Sequence, residues 1–250
     1  MISAVLFDMG GTLEEVVHSR DTELDCGTKV LAYFKKQGME LDMSPEEFIE
    51  ITGRGHREYR EWADKSLREL MPYEVWLEWK LKGIKLDQDK LRAISERISH
   101  IWDITYYKRN LRADAKELLD LLRAGGYRMG IISNTPSLTQ VFRVLDDYGI
   151  KDYFEAVTLS SISGYKKPSR MLFDITLADM NVGPEEAIYV GDTISRDVMG
   201  SRNAGLAMCI RINSALTERS DCNLESRAAD ADYVIKNLIE VYSIIERQKK

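Results

Sequence analysis

Four short segments carry residue types that can do chemistry together. Asp8-Met9-Gly10-Gly11-Thr12 sets a carboxylate ahead of two glycines. Such a carboxylate can act as a nucleophile or a cation ligand, and the glycines let backbone N–H groups turn toward an anion. Ser133-Asn134-Thr135-Pro136 offers hydroxyl and amide donors suited to an oxyanion or a phosphate. In Lys166-Lys167-Pro168 the proline fixes the backbone beside Lys167, whose compact charge can neutralise a phosphate or orient a carboxylate. Gly191-Asp192-Thr193-Ile194-Ser195-Arg196-Asp197 adds a second carboxylate and, five residues on, a third. Asp8 and Asp192 repel each other unless a cation sits between them; two hard oxygen ligands, with the other positions left to water and substrate, describe a magnesium site. Taken singly, each segment also fits a turn cap or a solvated surface charge.

Their positions in the chain say more. Short runs apolar on both faces, Ser3–Phe7, Tyr127–Ile132, Ala156–Leu159, Ala187–Val190, Ala207–Arg211 and Tyr233–Ile235, read as buried parallel strands. Helical periods at Asp114–Arg123, Leu138–Tyr148, Arg170–Met180 and Ile194–Ala204 alternate with them. That pattern predicts an α/β fold with a doubly wound, Rossmann-like parallel sheet, whose ligands bind beyond the carboxyl ends of the strands. All four reactive segments follow an expected strand, directly or through a short loop.

Residues 15–108 break the alternation. No strand is evident there, and helices are expected over Thr22–Gln37, Pro45–Ile51, His56–Leu70, Tyr73–Lys82 and Asp87–Trp102. Ser44-Pro45 and Asp87 stand where helix starts belong. All four tryptophans fall in this stretch, so an all-helical insertion with its own aromatic core is expected. The division is then a core of 1–14 and 109–250 and an inserted helical domain of 15–108, with hinges at Glu14–Val17 and Tyr107–Leu111. Within the insertion, Thr52-Gly53-Arg54-Gly55-His56 reads as a glycine-flanked basic pair between two helices. Arg54 is a candidate for reaching an anionic substrate, and the same segment also fits a plain helix–helix turn.

In this order, strand-Asp-x-Gly-Gly-Thr, strand-Ser-Asn, Lys-Pro and strand-Gly-Asp-x4-Asp resemble the four motifs of the haloacid dehalogenase-like (HAD) superfamily. Asn203-Ala204-Gly205 resembles the tail of the fourth motif, and 15–108 lies where the family's C1-type helical cap is inserted. The resemblance implies a hydrolase, and in its phosphatase branch an aspartyl-phosphate formed on Asp8. It implies that Ser133 and Asn134 hold the phosphoryl group, with Met9 and Gly10 lining the same pocket. Lys167 would balance the charge, Mg2+ would be bound by Asp8, Asp192 and the Gly10 carbonyl, and Asp197 would support them from behind. The implied partner is a small phosphorylated metabolite.

One residue departs from the phosphatase pattern. Gly10 stands where such enzymes carry a second Asp as general acid and base, a group worth about 10²–10⁴ in rate. Glu14, Glu15, His18 and His56 are candidates to replace it, as is a substrate with a good leaving group. Two other readings stay open. One is a C–P bond hydrolase using an insertion lysine, among them Lys65 and Lys80. The other is a phosphate- and metal-binding module that has lost turnover.

Composition narrows the field. The 250 residues carry 41 acidic against 35 basic groups, a net charge of −6, which argues against nucleic acid as partner. No apolar run approaches the ~20 residues that cross a bilayer, and no secretion signal precedes Asp8. Cys26, Cys209 and Cys222 form an odd set without metal spacing, which fits reduced thiols in a cytoplasm. Nothing in the sequence sets an oligomeric state.

Overall fold

A computed structural model describes residues 1–215, 217, 221 and 231–248. Cys222 and the terminal Lys249-Lys250 pair lie outside them. Six parallel strands form the central sheet: β1 (Ala4–Phe7), β4 (Arg128–Ser133), β5 (Ala156–Leu159), β6 (Ala187–Gly191), β7 (Met208–Ile212) and β8 (Tyr233–Ile235). Their order is β5-β4-β1-β6-β7-β8. Every apolar run read from the sequence is one of these strands, with ends shifted by a residue at most.

Both faces of the sheet are covered, as parallel strands require. From β1, Val5 and Phe7 point into a cluster shared with α5 (Ala115–Ala124), α6 (Gln140–Asp147) and α10 (Glu240–Arg247). Ala4 and Leu6 point the other way, onto α8 (Arg170–Met180) and α9 (Met199–Ala204). The helix expected over Ile194–Ala204 divides into a π-helical turn, Ile194–Val198, and α9.

Helices α1 (Arg20–Lys36), α2 (Pro45–Ser66), α3 (Pro72–Glu74) and α4 (Gln88–Tyr106) come between β1 and β4 in the chain. Their starts are chemically marked. The Ser44 hydroxyl accepts from the Glu47 N–H while the Glu47 carboxylate accepts from the Ser44 N–H, and Asp87 caps Asp89 and Lys90. A separate apolar cluster fills the space between them, built on Phe34, Phe48, Trp76 and Trp102.

Two expectations are corrected here. The segments at Glu14–Val17 and Lys108–Leu111, read as hinges, are strands β2 (Glu14–Val17) and β3 (Lys108–Leu111), paired antiparallel with Val17 opposite Lys108. Four residues each are too short for alternation to stand out in sequence. The turn expected around Gly53-Arg54-Gly55 is absent, because α2 runs unbroken from Pro45 to Ser66 and ends at Leu67 in the left-handed region. Gly55 is needed for packing rather than turning: a Cβ there would lie 2.1 Å from the Trp79 carbonyl oxygen.

Candidate active site

The strand order brings the C-terminal ends of β4, β1 and β6 side by side, so Ser133, Asp8 and Asp192 emerge at one edge of the sheet. Lys167 reaches the same point from the loop before α8. Its Nζ lies 2.5 Å from Asp8 Oδ1, 2.7 Å from Asp197 Oδ1, 2.9 Å from the Tyr189 hydroxyl and 3.0 Å from the Ile132 carbonyl. Asn134 fixes the lysine's backbone on both sides, accepting from the Lys167 N–H at 2.8 Å and donating to its carbonyl at 3.2 Å. The Thr12 hydroxyl donates to Asp8 Oδ2 at 3.2 Å.

Carboxylate oxygens of Asp8, Asp192 and Asp197 lie within 4.8 Å of one another, all buried. They do not play equal parts. Asp197 is fully committed: Oδ1 accepts from Lys167 and Tyr189, Oδ2 from Thr193 and the Asp192 N–H. Asp192 Oδ2 accepts from Ser214 at 2.5 Å, but Oδ1 is buried with no partner. Three carboxylates face two cations, Lys167 and Arg196. The deficit falls on Asp192, whose carboxyl burial and the charges of Asp197 and Asp8 push up to about 8. For Asp197, burial opposes ionisation, but Lys167 and Arg196 outweigh it and hold the acid below its usual range. An orphaned carboxylate oxygen facing surplus negative charge fits a divalent cation ligated by Asp8 and Asp192, with Asp197 behind them.

A cleft of about 160 Å³ opens over Asp8. The core contributes Met9, Gly10, Ser133, Asn134 and Lys167; the helical segment contributes His56, Tyr59, Arg60, Glu69, Trp102 and Asp103. Met9 is 1% exposed, its side chain packed in the core cluster. Arg54 is exposed and does not line the cleft. On α2, His56, Tyr59 and Arg60 share one face at i, i+3 and i+4, and two residues back from His56 is about 200° around the helix. Of the acid/base substitutes considered, only His56 lines the cleft. Glu14 is buried between Arg109 and Tyr148, Glu15 is exposed beside Arg112, and His18 pairs with Glu23.

Several side chains at the site carry no sequence motif. Arg109 on β3 bridges Glu14 (3.0 Å) and Asp103 (2.9 Å). Glu69 accepts from Tyr59 and from Ser160, and the Tyr59 contact is very short. Tyr189 is an interior strand residue whose hydroxyl meets Lys167 Nζ at 2.9 Å and Asp197 Oδ1 at 3.0 Å. The alternation of β6 marks it as facing α8 but not as touching Lys167.

Comparison with known proteins then decides the family. A model of haloacid dehalogenase-like hydrolases matches residues 2–205. The chain belongs to this family. It is thereby a hydrolase, and its fold is the family's. A glyceraldehyde 3-phosphate phosphatase of Methanothermobacter thermautotrophicus is 36% identical over 124 residues, 50% of this chain and 49% of that protein. The match thus spans about half the length of that relative. A ribulose-1,5-bisphosphate 5-phosphatase of Halopiger xanaduensis is 27% identical over 236 residues, 92% of this chain and 94% of its own length. Among solved structures, a HAD phosphatase from Thermococcus onnurineus superposes with a TM-score of 0.60 at 27% identity, covering 98% of both chains.

Proposed function

We propose that the protein is a Mg2+-dependent phosphatase of a small phosphorylated metabolite, acting through an aspartyl-phosphate on Asp8. The observation that carries this reading is the convergence of Asp8, Lys167 and Asp192, with Asp192 Oδ1 buried and unpartnered. Mg2+ bound by Asp8, Asp192 and the Gly10 carbonyl would neutralise the oxygens of the phosphoryl group. Asp8 attacks phosphorus as the bond to the leaving group breaks. Burial pushes the Asp8 carboxyl up, and Lys167, held by Asp197, Tyr189 and Asn134, opposes that shift and shares the charge of the transferring group. Ser133 at the end of β4 offers a hydroxyl to a phosphoryl oxygen. His56, Tyr59 and Arg60 from the helical segment, acting as a cap, close the cleft over the substrate and exclude water. The phosphatase relatives support the substrate class.

The C–P hydrolase reading gains nothing from the lysines: Lys65 is exposed, and Lys80 is packed over Trp76 and Trp102 rather than lining the cleft. The test is phosphate release from an activated aryl phosphate. Release should require Mg2+, stop with chelator, and be abolished in Asp8→Asn. Undiminished release by Asp8→Asn overturns the mechanism, and tight binding of a fluoride phosphate analogue without any release by the wild type marks a binding module instead.

A further inference from the structure

Gly10 leaves a question that the site's geometry answers. A Cβ on Gly10 would lie 2.7 Å from Arg109 Nη1 and 3.9 Å from Glu14 Oε2. The space in which a side chain at 10 would begin is therefore filled by a guanidinium, itself fixed by Glu14 and Asp103. Besides Asp8, the cleft's carboxyl groups among the described residues are Glu69 and Asp103, and all four of their oxygens are engaged. Burial raises the Glu69 carboxyl, but both of its oxygens are committed to Tyr59 and Ser160 rather than left to a departing oxygen. Asp103 accepts from Arg109 and, at 3.2 Å, from Thr135. Lys166 is ion-paired with Asp64 at 2.8 Å. His56 is held neutral by burial and by the cations around it, Lys80 foremost, so it has no labile proton to give. Guanidinium groups do not release a proton in water near neutrality.

We propose that the leaving group departs unprotonated, as an anion received by Arg109, and that the substrates are phosphoryl compounds whose leaving group is a stabilised anion: acyl phosphates, enol phosphates or phosphoric anhydrides. This rests on the phosphatase reading above and narrows its substrate class. In the first step Asp8 forms a bond to phosphorus, and the bond from phosphorus to the leaving oxygen breaks with both electrons going to that oxygen. No proton moves, and the new anion accepts from the guanidinium N–H groups of Arg109 that Glu14 and Asp103 leave free. In the second step water attacks the aspartyl-phosphate, the electron pair of the broken bond returns to Asp8, and the proton leaves with inorganic phosphate or to solvent. An alkoxide is too basic to leave this way unaided, which is the barrier a positioned acid removes.

The test is the single-turnover rate of leaving-group release across a series of aryl phosphates of increasing phenol basicity, ending in an alkyl phosphate, with excess Mg2+-loaded enzyme. The rate should fall steadily along the series. At the alkyl end it should be down by on the order of 10²–10⁴-fold, the contribution of the absent acid. Arg109→Lys, checked for folding by circular dichroism, should lose most on the most basic leaving groups. Release that is independent of leaving-group basicity overturns the inference while leaving the phosphatase reading intact, as does an equal loss across the series in folded Arg109→Lys. No release from any member overturns both.

Discussion

Lys80 is the buried charge least expected in this molecule, and replacing it by methionine should stabilise the protein. The side chain is 2% exposed, with Nζ 3.5 Å from the Trp102 ring centroid and 4.5 Å from that of Trp76. The titratable groups nearest it are Cys26 on α1, His56 on α2 and Asp103 on α4. Burial lowers the ammonium from 10.5 to about 7. At about 1.36 kcal/mol per pH unit between those values, keeping the lysine in the fold costs roughly 4–5 kcal/mol. The sign is fixed by proton counting. Between pH 7 and 10.5 the unfolded chain binds the proton and the folded one does not, so wild-type stability gains as pH rises through that window. Lys80→Met, similar in volume, should be more stable by the full amount below about pH 7, and its advantage should vanish near 10.5. Urea denaturation of both proteins at stepped pH, read as a difference, isolates this group from every other titration. A variant less stable at pH 7, or a difference that does not change with pH, would refute the argument.

Three further outcomes follow from other contacts. Glu96 on α4 accepts from the Ser137 hydroxyl (2.7 Å), the N–H groups of Leu138 (2.8 Å) and Thr139 (3.1 Å), and the Thr139 hydroxyl (2.7 Å). Glu96→Ala should cost about 1–3 kcal/mol in thermal or chemical denaturation and Glu96→Gln less; an unchanged midpoint counts against the latch. Gly55→Ala should destabilise by about 1–3 kcal/mol, because a backbone carbonyl cannot yield to the new methyl, whereas Gly53→Ala, whose nearest neighbour is Arg57 Nη1 at 3.7 Å, should be neutral or gain about 0.5–1 kcal/mol. Mg2+ at about a hundredfold excess over its dissociation constant should raise wild-type stability by about 2.7 kcal/mol, and Asp192→Asn should lose that response; an equal rise in both proteins removes Asp192 from the metal site.

The sheet was legible because most of its strands are short apolar runs followed by Asp, Ser, Asn or Gly, residue types that strands avoid. Asp8, Ser133 and Asp192 could be read from position alone: they follow such runs, and the parallel order does the rest. Lys167 needed its proline. The helical segment was less legible, since its contacts with the core join residues far apart in the chain. Glu69 meets Ser160, and Arg109 meets both Glu14 and Asp103, with no local pattern announcing either. Gly53 and Gly55 misled because the glycine that looks like a turn is the one against which Trp79 packs. Arg54, read as lying in a turn between two helices, instead sits within α2 and does not line the cleft.

The ribbon of β2 and β3 has a topological consequence. With Val17 directly across from Lys108, the excursion that contains α1–α4 departs and returns at a single doorway, its two ends separated by roughly one inter-strand spacing of 5 Å. Excising everything between those residues and joining them by a tight hairpin turn leaves the order and register of the six-stranded sheet untouched. A different inserted segment would therefore join the core at the same doorway without any change in the order of the strands beneath it.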